Sequence, residues 1–265
     1  MQSDKPIAQN RLIQAFVYIE PPIPVQVPGH ISTEDFEFSP TSFTLITTPN
    51  EAVLVDAPPL VLQGERLAKW IAAILSGRKL STIYVTHGHG DHFFSAGLIQ
   101  KRFPGARIRA TKETFIHMQE HLSDKMFDGI WTEIFNDLKH KGRPKLKVNV
   151  LPSRDNTFVV EGHRFCAIPV AGGDTVASTV LHMPDLNLII AGDVIYGECH
   201  QHLGENPTSE LRQKWLQAIN QVVKLQPKVI VPSHMQPHED FGLHHLENTR
   251  DYIKTWDEMV NRTQS

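Results

Sequence analysis

From Thr82 to His92 the chain reads TIYVTHGHGDH. Thr82–Thr86 is β-branched and aromatic, the composition of a strand. His87, His89, Asp91 and His92 follow at once, four potential metal ligands within six residues. Gly88 and Gly90 favour an irregular loop, which lets the side chains converge. His87 and His89, at i and i+2, can grip one ion while Asp91 and His92 turn towards a second. Zinc suits imidazole plus carboxylate, and iron and manganese accept the same donors. An ordinary polar loop has no need of this mixture of ligands at a strand end.

Further along, the same grammar recurs. Asp174 follows an apolar run in VAGGDT, Asp193 follows LIIAG, and His234 follows KVIVPS. Each alone is weak, since an aspartate after a strand also caps turns. Together they are the pattern of side chains delivered from several strand ends to one edge. A carboxylate lying between two ions can bridge them, and Asp193 is the natural choice.

Strand-like runs at Ala15–Ile19, Ser42–Thr47 and Ala52–Asp56 precede a helix over Gly64–Leu75 that Ser76-Gly77 terminates. Beyond the His-rich loop we expect a helix at Ser95–Arg102 and a strand at Arg107–Ala110. Strands follow at Thr157–Val160, Arg164–Val170, Ser178–His182, Leu188–Ala191 and Lys228–Val231, with helices at Glu210–Leu225 and Leu243–Val260. Two β-rich halves, each flanked by helices, predict an α+β fold: a four-layer αββα sandwich. The halves need each other to bury their sheets, so residues 1–265 are read as a single domain. Residues 112–147 carry two expected helices and a basic turn, KHKGRPKLK, as a helical insertion near the site. It serves either as a lid or as a crossover covering the sheet.

The composition narrows the function. The 265 residues include 15 histidines but only two cysteines, which excludes a disulfide scaffold and a four-cysteine metal site. We expect Cys166 and Cys199 to be separate and reduced. Twenty-six basic against 29 acidic residues give a formal charge of −3, unlike a diffuse nucleic-acid binder. No apolar run is long enough to span a membrane. Asp4 and the broken apolar pattern before Pro21 do not read as a secretory signal, so a cytoplasmic protein is expected. The expected partner is a small-molecule substrate, with neither nucleic acid nor membrane. Oligomeric state is not legible.

His87, His89, Asp91 and His92 as HxHxDH, Asp193 after strand and glycine, and His234 in VPSHM resemble the metallo-β-lactamase fold superfamily. The run FTLITTPNEAVLVDA is similar to its paired opening strands, ending in the structural aspartate, Asp56. The resemblance spans roughly residues 40 to 240. It implies two divalent ions, zinc first, with iron or manganese as alternatives. His87, His89 and Asp174 would hold one, Asp91, His92 and His234 the other, and Asp193 would bridge. The family has histidine where this chain has Asp174. The added charge favours more oxygen-loving ions and lessens Lewis acidity. His182 ranks below Asp174 for that place because it lies inside an expected strand.

The implied activity is a metal-dependent hydrolase whose metal-bridging hydroxide opens a lactone, lactam or ester, with Asp91 orienting it and shuttling its proton. Tyr196, three residues beyond Asp193, matches a tyrosine that contacts substrate carbonyl in the superfamily's acyl-homoserine-lactone lactonases; a packed aromatic is the equal alternative. A glyoxalase-II-like thioesterase is the nearest rival, weakened by the mixed charge of the last helix. A non-catalytic scaffold of the same fold is the alternative from another class. GxSxG is absent, which argues against a serine hydrolase. Phe93, Phe94, Met118, Phe127, Ile130 and Trp131 form either an apolar rim or, as their spacing favours, mostly helix core. His200 and His202 are expected at the surface more than at the site.

Overall fold

The structure, a computed structural model, describes residues 4–25 and 36–263. Its strands, in chain order, are β1 (Ala8–Gln9), β2 (Gln14–Glu20), β3 (Ile23–Val25), β4 (Phe36–Phe38), β5 (Thr41–Thr47), β6 (Glu51–Val55), β7 (Lys79–Tyr84), β8 (Arg107–Ala110), β9 (Val148–Val150), β10 (Thr157–Val160), β11 (His163–Pro169), β12 (Thr179–Met183), β13 (Leu188–Ile190) and β14 (Val229–Val231). The helices are α1 (Val61–Leu75), α2 (Ala96–Arg102), α3 (Lys112–His121), α4 (Thr132–Ile134), α5 (Asp137–Lys141), α6 (Ser209–Lys224) and α7 (His244–Thr263).

Seven strands form one sheet in the order β1-β2-β5-β6-β7-β8-β9, and five form a second in the order β10 to β14. Side chains alternate across each strand. In β2, Ala15, Val17 and Ile19 face the second sheet and pack with Phe165, Leu181, Leu188 and Ile190, while Phe16 and Tyr18 face the helices. The outer face of the first sheet is sealed by α1, α2 and the 112–138 region through Leu67, Trp70, Ile99, Met118 and Phe127. The second sheet is sealed by α6 and α7 through Trp215, Ile219, Val222 and Ile253. Three apolar interfaces therefore separate four layers, and the architecture is the αββα sandwich expected from the sequence.

Several elements end where side chains compete for the backbone. Expected to reach Thr86, β7 stops at Tyr84, because the Thr86 amide leaves the ladder to donate to Asp56. Helix α1 ends at Ser76 with φ +46° and Gly77 with φ +93°, a left-handed exit. Region 112–147 is more broken than two helices. Thr111 caps α3, a π-helical segment runs over Asp124–Trp131, and the short α4 and α5 follow. Lys139, His140 and Lys141 of the expected basic turn form the last turn of α5, where cations suit the helix dipole. The strands β1, β3, β4 and β9 were not expected. They have three residues or fewer, too short to show alternation.

Candidate metal centre

The site gathers at the ends of β6, β7, β11, β13 and β14. At the end of β6, Asp56 has φ +63°, rare for a residue with a side chain. Its carboxylate is the hub of the His-rich loop: Oδ1 accepts from the Thr86 amide at 2.8 Å and Oδ2 from the Thr86 hydroxyl at 2.8 Å. His92 Nδ1 lies 3.1 Å from the same Oδ2. The glycines of the loop serve close approach rather than unusual dihedrals. A Cβ on Gly88 would lie 2.6 Å from His117 backbone and ring atoms, and one on Gly90 would lie 2.3 Å from the Phe94 ring. Residues Gly90–His92 form a tight 3₁₀ turn that brings Asp91 and His92 inward.

All seven expected ligands are buried and converge in two adjoining groups. The first contains His87, His89, Asp174 and Asp193; the second contains Asp91, His92 and His234. His89 Nδ1 is 2.8 Å from Asp174 Oδ2, and His87 Nε2 is 3.9 Å from both Asp174 Oδ2 and Asp193 Oδ2. His92 Nε2 lies 3.2 Å from Asp91 Oδ2 and 3.3 Å from Asp193 Oδ1. His234 Nε2 lies 3.2 Å from Asp193 Oδ2 and 3.4 Å from Asp91 Oδ2. Asp193 thus stands between the groups, where a bridging carboxylate would stand.

The ring nitrogens facing away are all held. His92 Nδ1 donates to Asp56, and His234 Nδ1 donates to the Pro40 carbonyl at 3.2 Å. His87 Nδ1 lies 3.0 Å from Thr86 Oγ1, whose proton is already given to Asp56, so the ring is the donor. Three imidazoles therefore present an unprotonated Nε2 inward when neutral, the form that binds metal. His87 Nε2, His92 Nε2, both Asp174 oxygens and Asp193 Oδ1 are buried without a partner in hydrogen-bond geometry. Such orphaned atoms are costly unless something positive binds them. The residues fit a pair of divalent ions.

The charges are strongly coupled. Burial and neighbouring His92 hold His87 well below the ordinary histidine range. Burial opposes protonation of His92 too, but Asp91 and Asp193 overcome it and raise it well above that range. His234, against the same burial, is carried by Asp193 and Asp91 to about 10. Asp91 stays well below the usual carboxylate range because His92 and His234 outweigh its burial. Asp174 is raised to about 6 by burial, with Asp193 adding to the effect.

Tyr196 is buried, stacks on His234 at 5.4 Å between ring centroids, and donates its hydroxyl to Asp193 Oδ2 at 3.0 Å. His182 sits in β12 opposite Cys166 and Ile189, outside both groups. A cavity of about 590 Å³ opens over the centre. Ile130 and Trp131 line it, whereas Phe93, Phe94, Met118 and Phe127 are core beneath it. His200 and His202 are exposed, as expected, and also line its mouth.

A further group was missed from sequence: His117, His121 and Glu205 around the far edge of His89. His117 and His121, four residues apart on α3, do share a helix face. Nothing near Glu205 in the sequence marks it as a partner of His89.

A two-sheet αββα sandwich with paired His/Asp groups at the strand ends defines a class of metal-binding proteins. The sequence model of the metallo-beta-lactamase superfamily matches residues 37–234, and the chain belongs to that superfamily. Among solved structures it is similar to a metallo-beta-lactamase from Pontibacter korlensis, at 20% identity and TM-score 0.61, over 93% of this chain and 96% of that one. It is also similar to a mono-zinc metallo-beta-lactamase from Pseudomonas aeruginosa, at 14% identity and TM-score 0.61 over 94% of both chains. A third, from Hirschia baltica, is 16% identical with a TM-score of 0.58 over 92% and 95%. No curated protein sequence matches the chain. Membership supports a metal-dependent hydrolase in general, in a family that typically binds zinc. Among the described residues no helix is long and apolar enough to cross a membrane.

Proposed function

We propose that the chain is a two-metal hydrolase of a small, uncharged carbonyl substrate: a lactone, an ester or a lactam. One observation carries this reading. The converging ligands open on a cavity whose wall is Phe38, Met126, Ile130, Trp131 and Ile134, and whose lining, among the described residues, includes Glu37 and Glu205 but no lysine or arginine. The apolar wall suits hydrocarbon, and a lining without cationic side chains favours substrates lacking a carboxylate. A cytoplasmic small-molecule enzyme fits the overall charge of −3 better than a nucleic-acid partner does.

In this reading His87, His89 and Asp174 hold the first ion, and Asp91, His92 and His234 the second, with Asp193 between them. Two divalent ions, most readily zinc, would supply Lewis acidity for the carbonyl and a water acidified towards neutral pH. Asp91, already ionised beside His92 and His234 in the metal-free protein, is placed to orient that water and take its proton. Tyr196 steadies Asp193 and can turn its hydroxyl to a carbonyl oxygen in the same cavity. Asp174 adds negative charge where the family has histidine, which supports oxygen-loving ions at the first position.

The test is a panel of neutral lactones, aryl esters, β-lactams, thioesters and phosphodiesters, with wild type and Asp91→Ala compared. Neutral lactones or esters hydrolysed by wild type, and about 10²–10⁴-fold more slowly by the variant, are expected. Equal rates in the two proteins, or turnover of phosphodiesters alone, would overturn the proposal.

A further inference from the structure

His89 differs from the other three histidines of the centre. It turns Nδ1 inward, 2.8 Å from Asp174, and Nε2 outward, 3.0 Å from Glu205 Oε1. With Nδ1 offering its lone pair to an ion, the ring proton sits on Nε2 and is donated to Glu205. His121 supports the same polarity. The Trp131 indole donates to His121 Nδ1 at 3.0 Å, and an indole N–H can only donate. The neutral His121 ring therefore carries its proton on Nε2, 4.0 Å from Glu205 Oε1. Two ring N–H groups face one carboxylate. With those nitrogens protonated, the His89, His117, His121 and Glu205 group offers few lone pairs to a further ion.

The residue beside Glu205 is fastened to the other member of the close pair. The buried Asn206 side chain donates to the carbonyls of Gly173 and Asp174, at 3.0 and 2.8 Å. The Asn206 backbone carbonyl accepts from Arg212 at 2.9 Å, and Arg212 is ion-paired to Asp257 of α7. Resting on the metal-centre reading above, we propose that Glu205 is a positioning residue for the first ion. It fixes the tautomer and ring orientation of His89 while Asn206 fixes the backbone of Asp174. One short loop thereby sets two of the three ligands, although it contributes none itself. The carboxylate–histidine–metal arrangement is a recurrent way of raising ligand basicity.

The experiment titrates metal-free wild type, Glu205→Ala and Glu205→Gln with Zn²⁺ and with Co²⁺, reading affinity by calorimetry and ligand geometry from the Co²⁺ visible spectrum. Wild type should bind two equivalents. In Glu205→Ala one equivalent should weaken about 10–100-fold, with an altered Co²⁺ spectrum and the other equivalent unchanged. Glu205→Gln, whose amide oxygen still accepts the His89 proton, should recover most of that loss. In the Zn²⁺-loaded wild type, ¹⁵N imidazole spectra should show His89 protonated at Nε2. Unchanged affinity of both equivalents in Glu205→Ala, or a His89 protonated at Nδ1, would overturn the inference while leaving the metal centre standing. Wild type that binds no ion would overturn both.

Discussion

Two carboxylates stand behind the metal centre, and they work in different settings. Asp56 is buried, sits at a strained φ at the end of β6, and reaches two histidines: His92 directly and His87 through Thr86. Glu205 has a side chain 35% exposed, sits on a loop, and of the four histidines at the centre reaches His89 alone. His234, on the Asp56 side, is locked further by the Pro40 carbonyl and by the Ser42–Ser233 backbone contact that stitches the two sheets together. The second ligand group is therefore built from the rigid interior, and part of the first from a loop. Sites on strands are held more precisely than sites on loops, so the first position is the adjustable one. It is also the position that contains Asp174.

The largest effect that would probe this contrast comes from Asp56→Ala. It removes the support of His92 and His87 together and orphans the Thr86 donors. Ion affinity should drop about 10–100-fold in both groups, with about 2–4 kcal/mol lost from folding, read by calorimetry and chemical denaturation. Loss confined to one ion would break the assignment of Asp56 to both groups. Thr86→Val is the sharper cut. It removes the hydroxyl that holds His87 but leaves the Asp56–His92 contact in place, and should weaken the first ion by about tenfold with a smaller effect on the second.

Asp174→His tests the adjustable position directly. Removing one negative charge should shift the first position from manganese towards zinc by about tenfold in relative affinity, measured by competitive loading. Unchanged preference, metal content and activity would show that Asp174 is not a ligand.

A smaller effect is expected from pH. His234 has its folded pKa raised to about 10 in the metal-free protein, above the unfolded value of about 6.5. Its pairing with Asp193 and Asp91 thus stabilises the metal-free fold fully below about 6.5, and that contribution is lost as pH rises through about 10. Ion binding needs the neutral ring, so it should release protons at pH 7 and strengthen as pH rises. Calorimetry in buffers of different ionisation enthalpy counts those protons; none released would contradict the protonated His234.

How much of this was legible follows the same division. His87, His89, Asp91, His92, Asp193 and His234 could be named because each follows an apolar strand, and strand ends at one sheet edge converge. Asp174, singled out by the same rule, lies in the same cluster. Glu205 was not, because its role depends on which ring nitrogen of His89 faces outward, and no spacing encodes that. The glycines of the loop were read as conformational, whereas the Phe94 ring and the His117 backbone demand them for space. The π-helical segment at Asp124–Trp131 escaped because its apolar spacing is also that of an ordinary helix.

The most direct measurement is the metal stoichiometry of the native protein, purified without chelators and weighed by native mass spectrometry beside His87→Ala and His92→Ala. Two divalent ions per chain in the wild type, and one in each variant, is the predicted result. A wild type without stoichiometric metal, or variants that retain both ions, would contradict the two-ion centre.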